Sequence, residues 1–166
     1  MEKPKEHKSH LPAQRRKHKQ ETAIPEIVLK PIGFIRSPIA KPDQAPRQGS
    51  ESDISGKLVV DEQYRDALLG LEKGRKIVIV YWMHLADRDV QQVHPRHDLA
   101  LPLRGVFSLR SPQRPNPVSV STVEITGIEG TVIDVVGLDA VDGTPLLDIK
   151  GAMKIRTERG IGGLGD

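Results

Sequence analysis

Lys76 to Met83 reads KIVIVYWM, the most apolar run in the chain. Its residues are β-branched or aromatic, and its length suits a buried central strand. His84 follows where such a strand leaves the core. A histidine there fits a hydrogen-bonded structural role as well as a chemical one. Downstream, Asp87 to Leu103 is a long loop containing His94-Pro95-Arg96-His97, which supplies no clear third metal ligand and no thiolate. Gly105 to Ile125 then reads GVFSLRSPQRPNPVSVSTVEI. Val106, Phe107 and Leu109 open it as a strand, and Val118, Val120, Thr122 and Ile125 resume as another. Between them, proline restricts both itself and the residue before it, so Ser111, Arg114 and Asn116 are pushed towards extended backbone. Two readings fit this stiff segment. Either it holds Arg110 and Arg114 in place to grip a carboxylate or phosphate, or its prolines simply end a strand and its arginines face water.

The same reading extends to both ends of the chain. Gly130 to Gly137 (GTVIDVVG) alternates as a strand. In Leu138 to Lys150 (LDAVDGTPLLDIK), Asp142-Gly143 makes a tight turn and Pro145 restarts an extended segment. Asp139, Asp142 and Asp148 put three carboxylates close together in sequence. Upstream of Lys76, Asp61 is placed to cap a helix over Glu62 to about Gly70 with Tyr64, Ala67, Leu68 and Leu71 on one face. Gly56 to Val60 is a short strand, and Ile39 to Ser55 is a long loop carrying Ala45-Pro46-Arg47-Gln48-Gly49. Ile27 to Pro38 (IVLKPIGFIRSP) reads as an irregular first strand. About six or seven short strands, one short helix and two long loops fit a mainly β protein, a small antiparallel β-barrel.

Composition bounds the function. Residues 1–20 hold seven Lys or Arg against two Glu, leaving 18 basic and 20 acidic side chains elsewhere. The basic character therefore belongs to a polar tail, residues 1–24, read as disordered and able to attract RNA without sequence preference. The domain proper is placed at residues 25–155, followed by a flexible, glycine-rich C-terminus at 156–166. There is no cysteine, so disulfides and thiolate chemistry are excluded. Aromatics are 3% of the chain, so the core must be aliphatic. No signal-like segment and no bilayer-length apolar run is present, and the expectation is a cytoplasmic protein without membrane contact.

With these residues in view, the chain resembles the TsaA-like (TrmO, or YaeB) family. The resemblance rests on five separated motifs in order: IGFIRSP, APRQG, the strand ending in His84, GVFSLRSPQRPNPVSVS and LDAVDGTPLLDIK. It implies a homodimeric β-barrel methyltransferase that uses S-adenosylmethionine, binds no metal, and acts on tRNA. The implied target is the exocyclic amine of threonylcarbamoyl-adenosine beside the anticodon. Carried over by position, the cofactor contacts fall on Pro46, Arg47, Gln48, His84, Leu85, Arg110, Val120, Asp142, Gly143, Thr144 and Pro145. The proton acceptor is open among Asp139, Asp142 and Asp148. The alternatives are a methyltransferase of small molecules and a non-catalytic S-adenosylmethionine-binding module. This chain has Ser119 where the family commonly has glycine, and Gly151-Ala152 where Pro-Tyr is usual.

Overall fold

The computed structural model describes residues 26–46 and 52–152. The tail at 1–24, the segment 156–166 and the domain boundary at 155 lie outside the described residues, as do Arg47 and Gln48. The strands are β1 (Gly33–Arg36), β2 (Ser55–Val60), β3 (Lys76–Trp82), β4 (Gln92–Val93), β5 (Arg104–Gly105), β6 (Val118–Glu129), β7 (Val132–Val136) and β8 (Thr144–Gly151). Six of them close into a barrel in the order β1-β2-β7-β6-β3-β8, with β8 returning to β1. Every neighbouring pair is antiparallel. β4 and β5 form a separate two-stranded ribbon.

The run that suggested a central strand is a wall strand of this barrel. Ile77, Ile79 and Tyr81 point inward and are buried, whereas Val78, Val80 and Trp82 face outward and are half-buried. Strand periodicity therefore separates the two faces even within a continuous apolar run. Inward residues of the other strands complete an almost wholly aliphatic core: Ile35, Leu58, Val60, Val123, Ile125, Ile133, Val135 and Leu146. Leu138 and Ala140, just past β7, close one end. Tyr64, Leu68 and Leu71 pack partly against the core at the other. Two bulges bend the wall, one between Val80 and Tyr81 on the β3–β8 seam and one between Ile125 and Gly127 on the β6–β7 seam. Bulges of this kind raise local twist and help a sheet curl shut.

Three sequence expectations are corrected. The first strand is only Gly33–Arg36, because residues 27–31 are exposed and Pro31 has no N–H to give a ladder. The helix after Asp61 is a 3-10 helix, Glu62–Leu68, and the Asp61 side chain makes no cap. Its seven residues are under two α-helical turns. The strand expected at Val106 to Leu109 is instead a 3-10 turn, Val106–Ser108, and only Arg104–Gly105 is paired. Three further 3-10 segments of three residues each are thus present among the described residues, at Pro42–Gln44, Pro95–His97 and Val106–Ser108. No helix among the described residues is long and apolar enough to cross a membrane.

Truncating Ile133, which has no exposed surface, to alanine should cost about 2–5 kcal/mol of stability. Leu69→Ala, at a position 93% exposed, should change it by less than about 0.5 kcal/mol. Urea unfolding of the two variants beside the native chain checks both.

Candidate functional site

Antiparallel pairing fixes which loops meet. β1, β3 and β7 finish at the end of the barrel where β2, β6 and β8 begin. Three connections therefore emerge at one rim: 37–54 between β1 and β2, 83–117 between β3 and β6, and 137–143 between β7 and β8. They carry the PRQ, RPNP and DGTP segments. By chain position Pro46, His84, Leu85, Arg110, Asp142 and Gly143 all lie in these three connections. Thr144 and Pro145 start β8 beside them, opposite Ile35 and Phe34. The opposite end holds the 3-10 helix after β2 and the turn between β6 and β7, with none of the residues carried over as cofactor contacts.

The proline-rich loop is braced from two sides. The Arg114 guanidinium donates to the carbonyls of Ser111 (3.0 Å), Val106 (3.1 Å) and Leu109 (2.8 Å). The Val106 carbonyl also accepts from Leu109 N–H at 3.2 Å, the bond that closes the 3-10 turn there. From outside, Arg88 donates from Nε to the Pro115 carbonyl at 2.9 Å and lies over the Trp82 ring, 5.4 Å from its centroid. Met83 N–H donates to the carbonyl of the buried Pro117, tying the end of β3 to the start of β6. Neither alternative read from sequence holds for Arg114, whose guanidinium is a staple within its own loop. Arg110 is exposed, and no hydrogen bond or ion pair joins it to a described residue. His84 is exposed and Leu85 is 57% exposed beside it.

The DGTP turn is held just as closely. Asp142 N–H donates to Ile39 O (2.8 Å), Gly143 N–H to Ile35 O (2.8 Å) and Thr144 N–H to Val141 O (3.2 Å). Gly143 sits at φ +76°, which its lack of a Cβ permits. The Asp142 carboxylate accepts from Ser37 N–H (3.1 Å) and pairs with Arg36 (3.2 Å). The Ser37 amide, aided by the Arg36 charge, holds its pKa below the ordinary carboxylate range. The amide donors of the turn, at Asp142, Gly143 and Thr144, are thus all engaged within the protein. The Thr144 side chain is buried in the barrel.

The three aspartates are not gathered at one point. Asp139 faces the barrel mouth and accepts from the Tyr81 hydroxyl (2.7 Å) and from Ser121 (2.8 Å). Asp142 lies on the turn. Asp148 is on the outer wall, paired with Val80 in the ladder and with Lys150 through its charge. Val120 is also on that wall, 52% exposed and opposite Val80, so Asp148, Val80 and Val120 stand abreast on three strands. Two open concavities are lined by none of the motif loops: one on the outer wall around Lys57 and Asp134, the other at the far end around Leu69 and Ile128. His94 is turned to the Leu101 carbonyl (2.6 Å), and no group of three potential metal ligands occurs among the described residues. Sequence reasoning missed Arg36, Tyr81, Arg88 and Ser121. Their signal is cross-strand register, which one sequence does not display.

A small six-stranded barrel with three motif loops on one rim defines a structural class, and comparison with known proteins defines the family. Residues 34–155 match the family described as tRNA-methyltransferase O N-terminal domain, and the chain belongs to that family. An S-adenosyl-L-methionine-binding protein of Archaeoglobus fulgidus is 43% identical over 124 residues, covering 75% of this chain and 88% of that protein. A probable S-adenosyl-L-methionine-binding protein of Methanothermobacter thermautotrophicus is 44% identical over 125 residues, 75% of this chain and 89% of that one. Among solved structures, TrmO from Pseudomonas aeruginosa superposes with a TM-score of 0.64 at 28% identity, over 82% of this chain and 62% of that chain. This chain thus spans less than two thirds of that solved protein.

Because the folded state lowers the pKa of Asp142, its contribution to stability is present above the unfolded carboxylate value and disappears as pH falls through the folded one. The stability difference between the native chain and Asp142→Asn should therefore be constant above about pH 5 and shrink in stronger acid. Urea unfolding across pH 2–7 measures it. Arg114→Lys should lose about 1–3 kcal/mol, since an ammonium cannot reach three carbonyls as the planar guanidinium does. The same unfolding experiment at neutral pH reads that loss.

Proposed function

We propose that this protein is an S-adenosylmethionine-dependent methyltransferase acting on the exocyclic amine of threonylcarbamoyl-adenosine in tRNA. The observation that supports the reading is that the loops bearing PRQ, RPNP and DGTP in sequence all leave the barrel at one end, in a chain of this family. The rim offers both signs of charge. Arg110 is an exposed guanidinium outside any ion pair with described residues, suited to a carboxylate. Asp142 stays ionised and suits an ammonium or a pair of ribose hydroxyls. Those groups match the two ends of the zwitterionic methionine part of the cofactor. Pro46, Arg47, Gln48, His84, Leu85, Val120 and the Gly143-Thr144-Pro145 segment are proposed to complete its contacts.

When bound, the cofactor supplies an electrophilic methyl group on sulfonium. The task of this chain is to hold an amine in line with it and to keep water out. Orientation of that kind can be worth about 7–11 kcal/mol in favourable cases. The departing amine proton passes to a carboxylate or to solvent. Among Asp139, Asp142 and Asp148, the outer-wall position of Asp148 makes it the least suited to a substrate at the rim. The homodimer is proposed on the outward strip formed by Val78, Val80, Val118 and Val120, where β3 and β6 present apolar side chains on the outer wall. A cytoplasmic location goes with a tRNA substrate.

Purified full-length protein should transfer labelled methyl from S-adenosylmethionine to tRNA carrying threonylcarbamoyl-adenosine. Transfer only to a small molecule would replace the substrate. Tight cofactor binding without transfer to any RNA pool would leave a binding module. Arg110→Ala should weaken cofactor binding by about 1.5–3 kcal/mol in calorimetry, the usual worth of a hydrogen bond to a charged group. Unchanged affinity would remove Arg110 from the site.

A further inference from the structure

Inside the barrel mouth lies a polar cluster of Tyr81, Ser121 and Asp139, whose two hydroxyls the proposed chemistry does not use. Tyr81 is 3% exposed and Ser121 7% exposed, in a core otherwise built of aliphatic side chains. The Tyr81 hydroxyl donates to Asp139 Oδ1 at 2.7 Å and sits 3.2 Å from Ser121 Oγ. Ser121 Oγ lies 2.8 Å from both carboxylate oxygens of Asp139. Ser119 stands opposite Tyr81 in the ladder, two residues before Ser121 on the same strand. Burial and the Asp139 charge push the Tyr81 pKa up to about 12, so the hydroxyl keeps its proton and remains a donor. Phenylalanine would fill the space without a buried polar atom to satisfy.

The position of this cluster in the fold gives it a use. The segment 137–143 is tied by its backbone and by Asp142 to one side of the barrel. Gly137 and Leu138 N–H donate to Ile54 O, Asp142 N–H to Ile39 O and Gly143 N–H to Ile35 O. The Asp142 carboxylate is held by Arg36 and Ser37. All these partners belong to β1, to β2 or to the loop between them. The β3–β8 ladder is no help to the turn, because beyond the bulge its last pair is Tyr81 with Leu146. The Asp139 carboxylate reaches the other way, to β3 and β6. Tyr81 is three residues before His84, and Ser121 directly follows Val120.

We infer that Tyr81 and Ser121 are positioning residues: their hydroxyls hold the Asp139 carboxylate and so set the 139–145 turn against the end of β3 that leads into His84 and Leu85. Asp139 is then a tether and is not the proton acceptor. The inference rests on the cofactor reading above for its functional consequence, and on hydrogen bonds alone for its structural one.

The test uses the full-length protein and the variants Tyr81→Phe, Ser121→Ala and Asp139→Asn. Two quantities are read: S-adenosylmethionine affinity by calorimetry, and amide hydrogen exchange at Asp142 and Gly143. In Tyr81→Phe the dissociation constant should rise about tenfold, and exchange at those two amides should quicken by a similar factor while core amides such as Ile133 keep their protection. The double variant Tyr81→Phe/Asp139→Asn should lose no more than its worse single parent, because one tether is cut in each. A lower melting temperature with unchanged affinity and unchanged exchange at Asp142 and Gly143 would overturn the inference. If Tyr81→Phe fails to fold, Ser121→Ala decides by the same two readings. If the native protein binds no S-adenosylmethionine, the cofactor reading fails by itself, and exchange still decides the tether.

Discussion

The barrel closes through four residues. β1 pairs on one edge with β2 and on the other with β8, and without it the remaining five strands are an open sheet with two unpaired edges. The seam is tight enough to dictate its sequence. A Cβ on Gly33 would run into the Val59 carbonyl, and one on Gly56 would meet the Arg36 carbonyl and the Leu138 side chain. Closure by so short a strand also determines the rim. Arg36 and Ser37, at the end of β1, are the residues that hold the Asp142 carboxylate, and Ile35 and Ile39 receive the amides of the same turn.

Rigidity in this molecule comes from arginine as much as from proline. Proline narrows the backbone of the RPNP segment. Arg114 from within and Arg88 from outside then fasten it by its carbonyls. A guanidinium suits this work because its planar donors can serve several carbonyls at once. The division of labour explains why two arginines four residues apart have different fates. Arg114 turns inward to its own loop, and Arg110 remains outward at the rim.

The polar interior follows a related logic. An aliphatic barrel gains nothing in stability from a buried tyrosine hydroxyl, a serine and a carboxylate unless all are satisfied, and every buried side-chain polar atom among the described residues has a partner. Satisfied, such a cluster is specific in direction where apolar packing is not. It joins strands β3 and β6 to a turn that the sheet ladders do not reach.

Much of this was legible in the sequence. The apolar run at 76–83, the short stretch 56–60, the apolar residues of 118–125 and the alternation in 130–137 mark strands, and the barrel then buries every second side chain of each. Asp142-Gly143 marks a turn, and the motif resemblance leads to the family. The reach of β1, the 3-10 form of 62–68 and of 106–108, and the inward turn of Arg114 were not legible. Each depends on where a distant strand or carbonyl lies, and a linear pattern carries no register. The same holds for the three aspartates, close along the chain and separated in space. Local chemistry, written residue by residue, determined strands, turns and family. Only the antiparallel closure decided which loops share a rim and which side chains meet there, because that depends on pairings between residues as far apart as Arg36 and Asp142.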